Sequence, residues 1–242
     1  MSNFFKSASD ILQQISLEVG LGTQVSPFSS TDAAVQQLVA LLNPCGRELL
    51  GEHQWEHFER EWSFTTVQDQ EKYDLPTDFC YLIDQTGWDR SNNVPIAGPL
   101  SAQEWTYLAG RNLVSSTIYA TFRKTQGQFW FYPVQMPGNQ TLSFEYLSED
   151  WVVDASGNSK NSVTTGADVI QYDSYMYERL LRLRWKETKG FDTTKDQQMY
   201  NKALSRWTSR DTPAPILNAA GRRRFNYLTP YGNTPDTGYG DV

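Results

Sequence analysis

The hydrophobic period of this chain changes twice, and that change limits the folds open to it. Apolar residues recur at helical spacing up to about residue 56, alternate as in a strand from Phe58, and return to helical spacing from Asp168. Neither helical stretch is long enough to bury its own stripe, so the two ends of the chain must meet, with the strands set between them. The expected fold is therefore α+β. A helical bundle is formed by residues 1–56 and 167–211, and an antiparallel β domain, a sandwich or curled sheet, by 57–166. An extended C-terminal arm covers 212–242.

Local signals give the elements. Ser7 to Asp10 caps a first helix running to about Val19, with Ile11, Ile15 and Val19 on one stripe, and Gly20-Leu-Gly22 ends it. Ser30 or Thr31 caps a second helix carrying Val35, Leu38, Val39, Leu42 and Leu49. Pro44 lies within that pattern and should kink the helix or divide it. Phe58, Arg60, Trp62 and Phe64 share one face of the first long strand. Further strands flank a tight turn at Thr125-Gln126-Gly127, and another runs from Thr141 to Leu147. Residues 154–166, rich in Ser, Asn and Gly, read as an exposed loop. Asp168 to Lys189 reads as the strongest helix, with Val169, Tyr172, Met176, Leu180 and Leu183 on one face and Gly190 as its stop. Asp192 or Thr193 starts the last helix, with Tyr200, Ala203, Leu204 and Trp207 as its stripe. These two helices should pair antiparallel over the first two.

Charge is split along the chain. Residues 1–116 carry 15 acids and 6 bases, a balance of −9, and residues 117–242 carry 13 acids and 15 bases, a balance of +2. Such a split suits ends that meet different partners, or copies that stack head to tail. It argues against duplex DNA as the primary ligand, which needs a concentrated basic face. No apolar run approaches 18 residues, and Met1 to Lys6 lacks a signal-peptide hydrophobic region. A soluble protein without membrane contact is expected. Cys45 and Cys80 read as reduced, buried thiols, since two cysteines in 242 residues make no disulfide scaffold.

Few residues suggest chemistry. His53-Gln-Trp-Glu56-His57 matches an H-x-x-E-H zinc pattern, yet nothing marks a third ligand and the segment runs directly into a strand. It reads as a structural junction, so neither a metal nor a cofactor is expected. Asp84 and Asp89 beside Trp88, and Glu149-Asp150 beside Trp151, have the composition of a glycan-binding or glycan-cleaving site. They equally suit an acidic surface. No nucleophile set and no phosphate-cradling loop can be chosen, so an enzyme is not expected. Arg179, Arg182, Lys186 and Lys189 form a basic stripe, a candidate contact with an acidic neighbour. Arg222, Arg223 and Arg224, followed by Phe225, Tyr227 and Tyr231, read better as an anchor for an acidic protein groove than as a nucleic-acid contact. The arm around them is too poor in apolar residues to recover its ordering entropy by folding on itself.

One stretch carries a resemblance. Tyr73-Asp-Leu-Pro-Thr-Asp-Phe79 is followed by Gly87-Trp-Asp-Arg90 and by Gly98-Pro-Leu-Ser101, with Glu104-Trp105 after a capping box at Ser101. In this order, between helical ends, the series resembles the head-to-tail adaptor proteins of short-tailed bacteriophages, also called tail tubular protein A-like or head-completion proteins. The likeness covers roughly residues 8 to 210. It implies a structural protein of the virion neck, assembled in the host cytoplasm. Such proteins form a ring with other copies of themselves, generally twelve, between the portal protein and the tail nozzle protein, and double-stranded DNA passes through the lumen without sequence-specific binding. It also implies that Arg222 to Tyr231 touch the portal and that the β-domain loops touch the nozzle. It brings no catalytic residues. The alternative is a glycan-binding or glycan-cleaving tail component.

Overall fold

Short polar side chains set where the helices begin. Ser7 accepts from the Asp10 N–H at 3.2 Å and Asp32 from Ala34 at 2.8 Å, while Asp173 accepts from Met176 at 2.8 Å. The Ser101 hydroxyl and Glu104 carboxylate satisfy each other's backbone N–H groups, the expected capping box. The computed structural model describes residues 4–110, 121–132 and 138–211. A short strand β1 (Lys6–Ser7) leads into α1 (Ala8–Glu18), and α2 (Ala33–Glu52) follows a single 3-10 turn. The β segment comprises β2 (Glu59–Thr65), β3 (Lys72–Asp74), β4 (Phe79–Leu82), β5 (Trp88–Asp89) and β6 (Val94–Pro95). After α3 (Ala102–Gly110) it continues with β7 (Thr121–Thr125), β8 (Gln128–Tyr132) and β9 (Thr141–Ser148). Three short strands, β10 (Val152–Val153), β11 (Ser159–Lys160) and β12 (Val169–Ile170), precede α4 (Ser174–Thr188) and α5 (Thr194–Asp211). The fold class is α+β.

The β segment is a small sandwich built on β9. One edge of β9 pairs antiparallel with all of β2, from Glu59↔Leu147 to Thr65↔Thr141, and the other edge pairs with β4 and β5. The facing sheet has the order β3-β8-β7, with β7 and β8 joined by Gln126-Gly127, both at positive φ as a tight hairpin requires. Between the sheets lie Phe122, Phe129, Phe131, Leu142 and Phe144. The Phe144 ring centroid is 5.0 Å from those of Phe122 and Phe129. Asp78, in the turn before β4, ties the sheet's end together. It accepts from Tyr146 and Ser148 at 3.0 and 2.7 Å, and from Arg60 at 2.8 Å. Burial, and then the bond to Asp78, push the Tyr146 phenol up to about 12.

The second core joins both ends of the chain. Ile11, Leu12 and Ile15 of α1 meet Leu38, Leu42 and Leu49 of α2, Tyr177, Leu180 and Leu181 of α4, and Tyr200 and Ala203 of α5. Lys186 near the end of α4 reaches Asp196 near the start of α5, so the two helices run antiparallel, as expected. Two buried tyrosines, Tyr172 just before α4 and Tyr177 within it, fasten this part of the chain to α2 by donating to main-chain carbonyls, Tyr172 to Gly46 at 3.0 Å and Tyr177 to Leu42 at 2.7 Å. Trp151 is fully buried beside them. A β-carbon on Gly46 would lie 2.3 Å from its ring, so only glycine admits this contact.

Four expectations need correction. The cap of α2 is Asp32, because Ser30 is occupied with the Asp32 N–H. The helix then runs unbroken past Pro44, held by buried Leu42, Cys45 and Leu49 on either side. The helix placed at Asp168 begins only at Ser174, since the β-branched pair Val169-Ile170 extends as β12 between β1 and β10. Residues 154–166 are not simply an exposed loop. Val163 is buried and exchanges hydrogen bonds with Asn43, and the Asp168 and Gly166 carbonyls accept the N–H groups of Ala8 and Ser9 at the start of α1. Gly166 comes so close that a β-carbon there would meet the Ser9 hydroxyl at 2.1 Å. The buried Asp168 carboxylate closes this turn. It accepts from Lys160 at 2.6 Å, and from the Thr164 and Thr165 N–H groups at 2.7 and 2.8 Å.

Leu180→Ala should lower stability by about 2–5 kcal/mol, through lost transfer energy and the cavity left. A denaturant melt showing less than about 1 kcal/mol would mean that the α4 face is assigned wrongly. Asp168 supplies a pH test. Burial alone would raise its pKa, but Lys160 and the two threonine N–H groups outweigh it and hold the carboxyl well below the usual range. Its stabilisation is full above its unfolded value of about 3.9 and is lost as pH falls through the lower folded value. Asp168→Asn should therefore cost about 1.5–3 kcal/mol at pH 7. The difference from wild type should shrink steadily in melts taken toward pH 2.

Candidate functional site

The basic stripe of α4 is largely taken up inside the chain. Arg179 and Arg182 each hold one oxygen of Glu18 at 2.7 Å, Arg182 also lies 2.9 Å from Asp196, and Lys186 reaches Asp196 at 2.5 Å. Arg184 pairs with Glu48 and Glu187. Burial would raise the Glu18 pKa, but Arg182 and Arg179 together hold it below the usual range. Only Lys189 stands apart, exposed, with its ammonium 5.6 Å from the Trp185 ring centroid. Three of the four stripe residues thus lock α1, α4 and α5 together, because α1 ends on a glutamate that sequence distance hid.

The chemical motifs come apart in space. His53 lies just past the end of α2 and its Nε2 is 3.0 Å from Asp211, while His57 Nε2 is 3.2 Å from Gln171. The two imidazoles serve different partners. Among the described residues no cluster of three or more His, Cys, Asp or Glu is arranged to hold a metal. Asp89 is buried and spent on its own turn, accepting from the Ser91 and Asn92 N–H groups at 2.9 and 3.0 Å. Trp151 faces the core, Glu149 bonds Asn161 at 2.8 Å, and Asp150 lies 3.9 Å from Arg60. Neither acidic-aromatic group therefore presents a ring and paired carboxylates to a glycan. Cys45 and Cys80 are free thiols, and burial pushes that of Cys45 up to about 12.

What remains for recognition is surface. A cavity of about 230 Å³ opens where α2 and α5 end, with Phe4, Trp55, Tyr172 and Trp207 in its wall and Arg210 and Asp211 at its lip. Phe4 meets Trp207 edge-on at 4.7 Å. Beside it a groove of about 410 Å³ runs between α4 and α5, lined by Tyr175, Met199, Lys202, Ala203, Arg206 and Trp207. Here lies the basic stripe that sequence reading missed. Lys195, Lys202, Arg206 and Arg210 are all exposed on α5, and none is ion-paired to a carboxylate among the described residues. The signal was present: these residues share helical spacing, with Met199 among them and no acid in the row. Arg222, Arg223, Arg224, Phe225, Tyr227 and Tyr231 lie outside the described residues.

The family model described as SU10 adaptor protein matches residues 6–224, and the chain belongs to that family. It is accordingly a structural adaptor protein of a phage, a component that joins other head or tail parts in the virion, and the family is not one of enzymes. No curated protein matches the chain. Among the described residues no helix is long and apolar enough to cross a membrane.

Glu18→Ala should cost roughly 1–3 kcal/mol, because it leaves Arg179 without its carboxylate and Arg182 with Asp196 alone. Denaturant melts against wild type at pH 7 measure this. An unchanged melt would mean that the two arginines find equal partners in solvent.

Proposed function

We propose that this phage adaptor is a head-to-tail adaptor of the short-tailed type, forming a ring of generally twelve copies between the portal protein and the tail nozzle. Double-stranded DNA passes through its lumen without sequence-specific contacts, and the ring sits in the virion neck. The observation that carries the reading is the adaptor-family match over residues 6–224, which takes in both hydrophobic cores. The folded body supports it, since Asp89, Glu149, Asp150, His53 and His57 are engaged by neighbouring groups of the same chain. Its unspent features, aromatic and cationic, lie on the outside of α4 and α5, which suits a protein that acts by contact. In this reading the segment from Arg222 to Tyr231 engages the portal. Its arginines pair with portal carboxylates and its aromatics fill pockets between them. The loops of the β sandwich face the nozzle.

Truncation after Asp211 tests the assignment of the C-terminal segment. The truncated protein should melt within about 5 °C of the full chain, because both cores end before residue 212. It should lose most of its attachment to purified portal rings in co-sedimentation. Substituting Arg222, Arg223 and Arg224 by Ala should weaken attachment and flatten its salt dependence. A truncated chain that binds portal as well as the full chain moves the joint onto the folded body.

A further inference from the structure

We propose that the groove between α4 and α5 is one side of a subunit–subunit contact, and that its occupant is an acidic, partly apolar surface on a second copy of this chain. The proposal rests on the ring reading above and assigns a face to it.

The stripe on α5 is narrow. Lys195, Met199, Lys202, Arg206 and Arg210 fall within about 80° around the helix at 3.6 residues per turn. The neighbouring helix disposes of its charge differently. Arg179, Arg182, Arg184 and Lys186 of α4 all form ion pairs with carboxylates of the same chain, whereas Lys195, Lys202, Arg206 and Arg210 form none among the described residues. Arg206 and Lys195 only feel Asp173 and Asp192 at longer range, and Arg210 lies 5.4 Å from the Trp207 ring centroid. Lys202 and Arg206, the two cations that line the groove, are exposed and outside any ion pair among the described residues, so their charge is open to a partner. Between them the surface is apolar: Tyr175 is 50% and Met199 48% exposed, and Trp207 forms part of the floor. Tyrosine, methionine and arginine around an apolar centre are the composition of a protein interface. A phosphate backbone would have no use for the exposed thioether and phenol ring in the middle.

Charge selects the occupant. Residues 1–116 carry −9, and the exposed carboxylates of Asp69, Asp74 and Asp84, in the β segment, belong to that half. The chain therefore holds both members of a complementary pair on different surfaces. A contact between two unlike patches of identical subunits is heterologous, and it closes into a ring when the rotation per copy divides a full turn.

The test uses the full-length protein and a Lys202→Glu/Arg206→Glu variant, both substitutions lying on exposed helix positions. Thermal melts check the fold. Sedimentation velocity and native mass spectrometry, with and without purified portal, then follow assembly across a salt series. Wild type should form the ring with an affinity that falls as salt rises. The variant should melt as wild type yet associate with itself at least about tenfold more weakly, with a flatter salt dependence. A variant that forms wild-type rings overturns the groove assignment and leaves the ring reading standing. So does a variant that self-associates normally but loses portal or duplex DNA, since the occupant is then one of those. A wild-type chain that forms no ring even on portal removes the ring reading, and this proposal with it.

Discussion

The indole of Trp151 packs against the backbone of α2 at Gly46, nearer than any other residue there would allow. Burying a side chain of this size, about 150–250 Å², is worth roughly 4–6 kcal/mol at the usual transfer coefficient. A glycine inside a helix costs about 1 kcal/mol relative to alanine. The indole N–H, which finds no partner among the described residues, costs about 1–3 kcal/mol more. After both, roughly 0–4 kcal/mol remains. Trp151 stands between β9 and β10, and Tyr172 and Tyr177 lie 5.8 and 6.2 Å from its ring. One side chain thus joins the last long strand of the sandwich to α2 and α4.

That junction explains what could be read from the sequence and what could not. Period and local polarity revealed α1, the β7–β8 hairpin, β9 and the antiparallel α4–α5 pair, because each is decided by residues within a turn or two of one another. The start of α4 escaped notice because Val169 and Ile170 fit a helical stripe as well as a strand, and only the distant strands β1 and β10 choose between them. Residues 154–166 looked like loop because their partners, Asn43 and the first N–H groups of α1, lie more than a hundred positions away. Trp151 looked like a surface aromatic flanked by acids for the same reason.

Charge followed the same logic with more consequence. Arg179, Arg182 and Lys186 form a clear basic row in sequence, but their row is answered by Glu18 and Asp196 once the helices pack. Such half-buried pairs hold helices in register and are poorly screened by salt. The equally regular row on α5 forms no ion pair among the described residues. Two rows that look alike in the sequence therefore divide the work, one giving internal cohesion and the other keeping its charge on the surface.

The helical core draws on residues 8–58 and 147–203, while the sandwich core lies between Trp62 and Phe144. A chain made from its N-terminus can therefore close the sandwich while α4 and α5 are still inside the ribosome, and domains generally fold as they emerge. During that interval the apolar stripes of α1 and α2 have only each other to pack against. Their cover from α4 and α5 arrives only when those helices emerge, and the α4–α5 groove comes into being at the same moment. Vectorial synthesis then acts as a timer: no nascent chain displays its adhesive helix face before its interior is complete, so a crowded polysome translating many copies is protected from joining them prematurely.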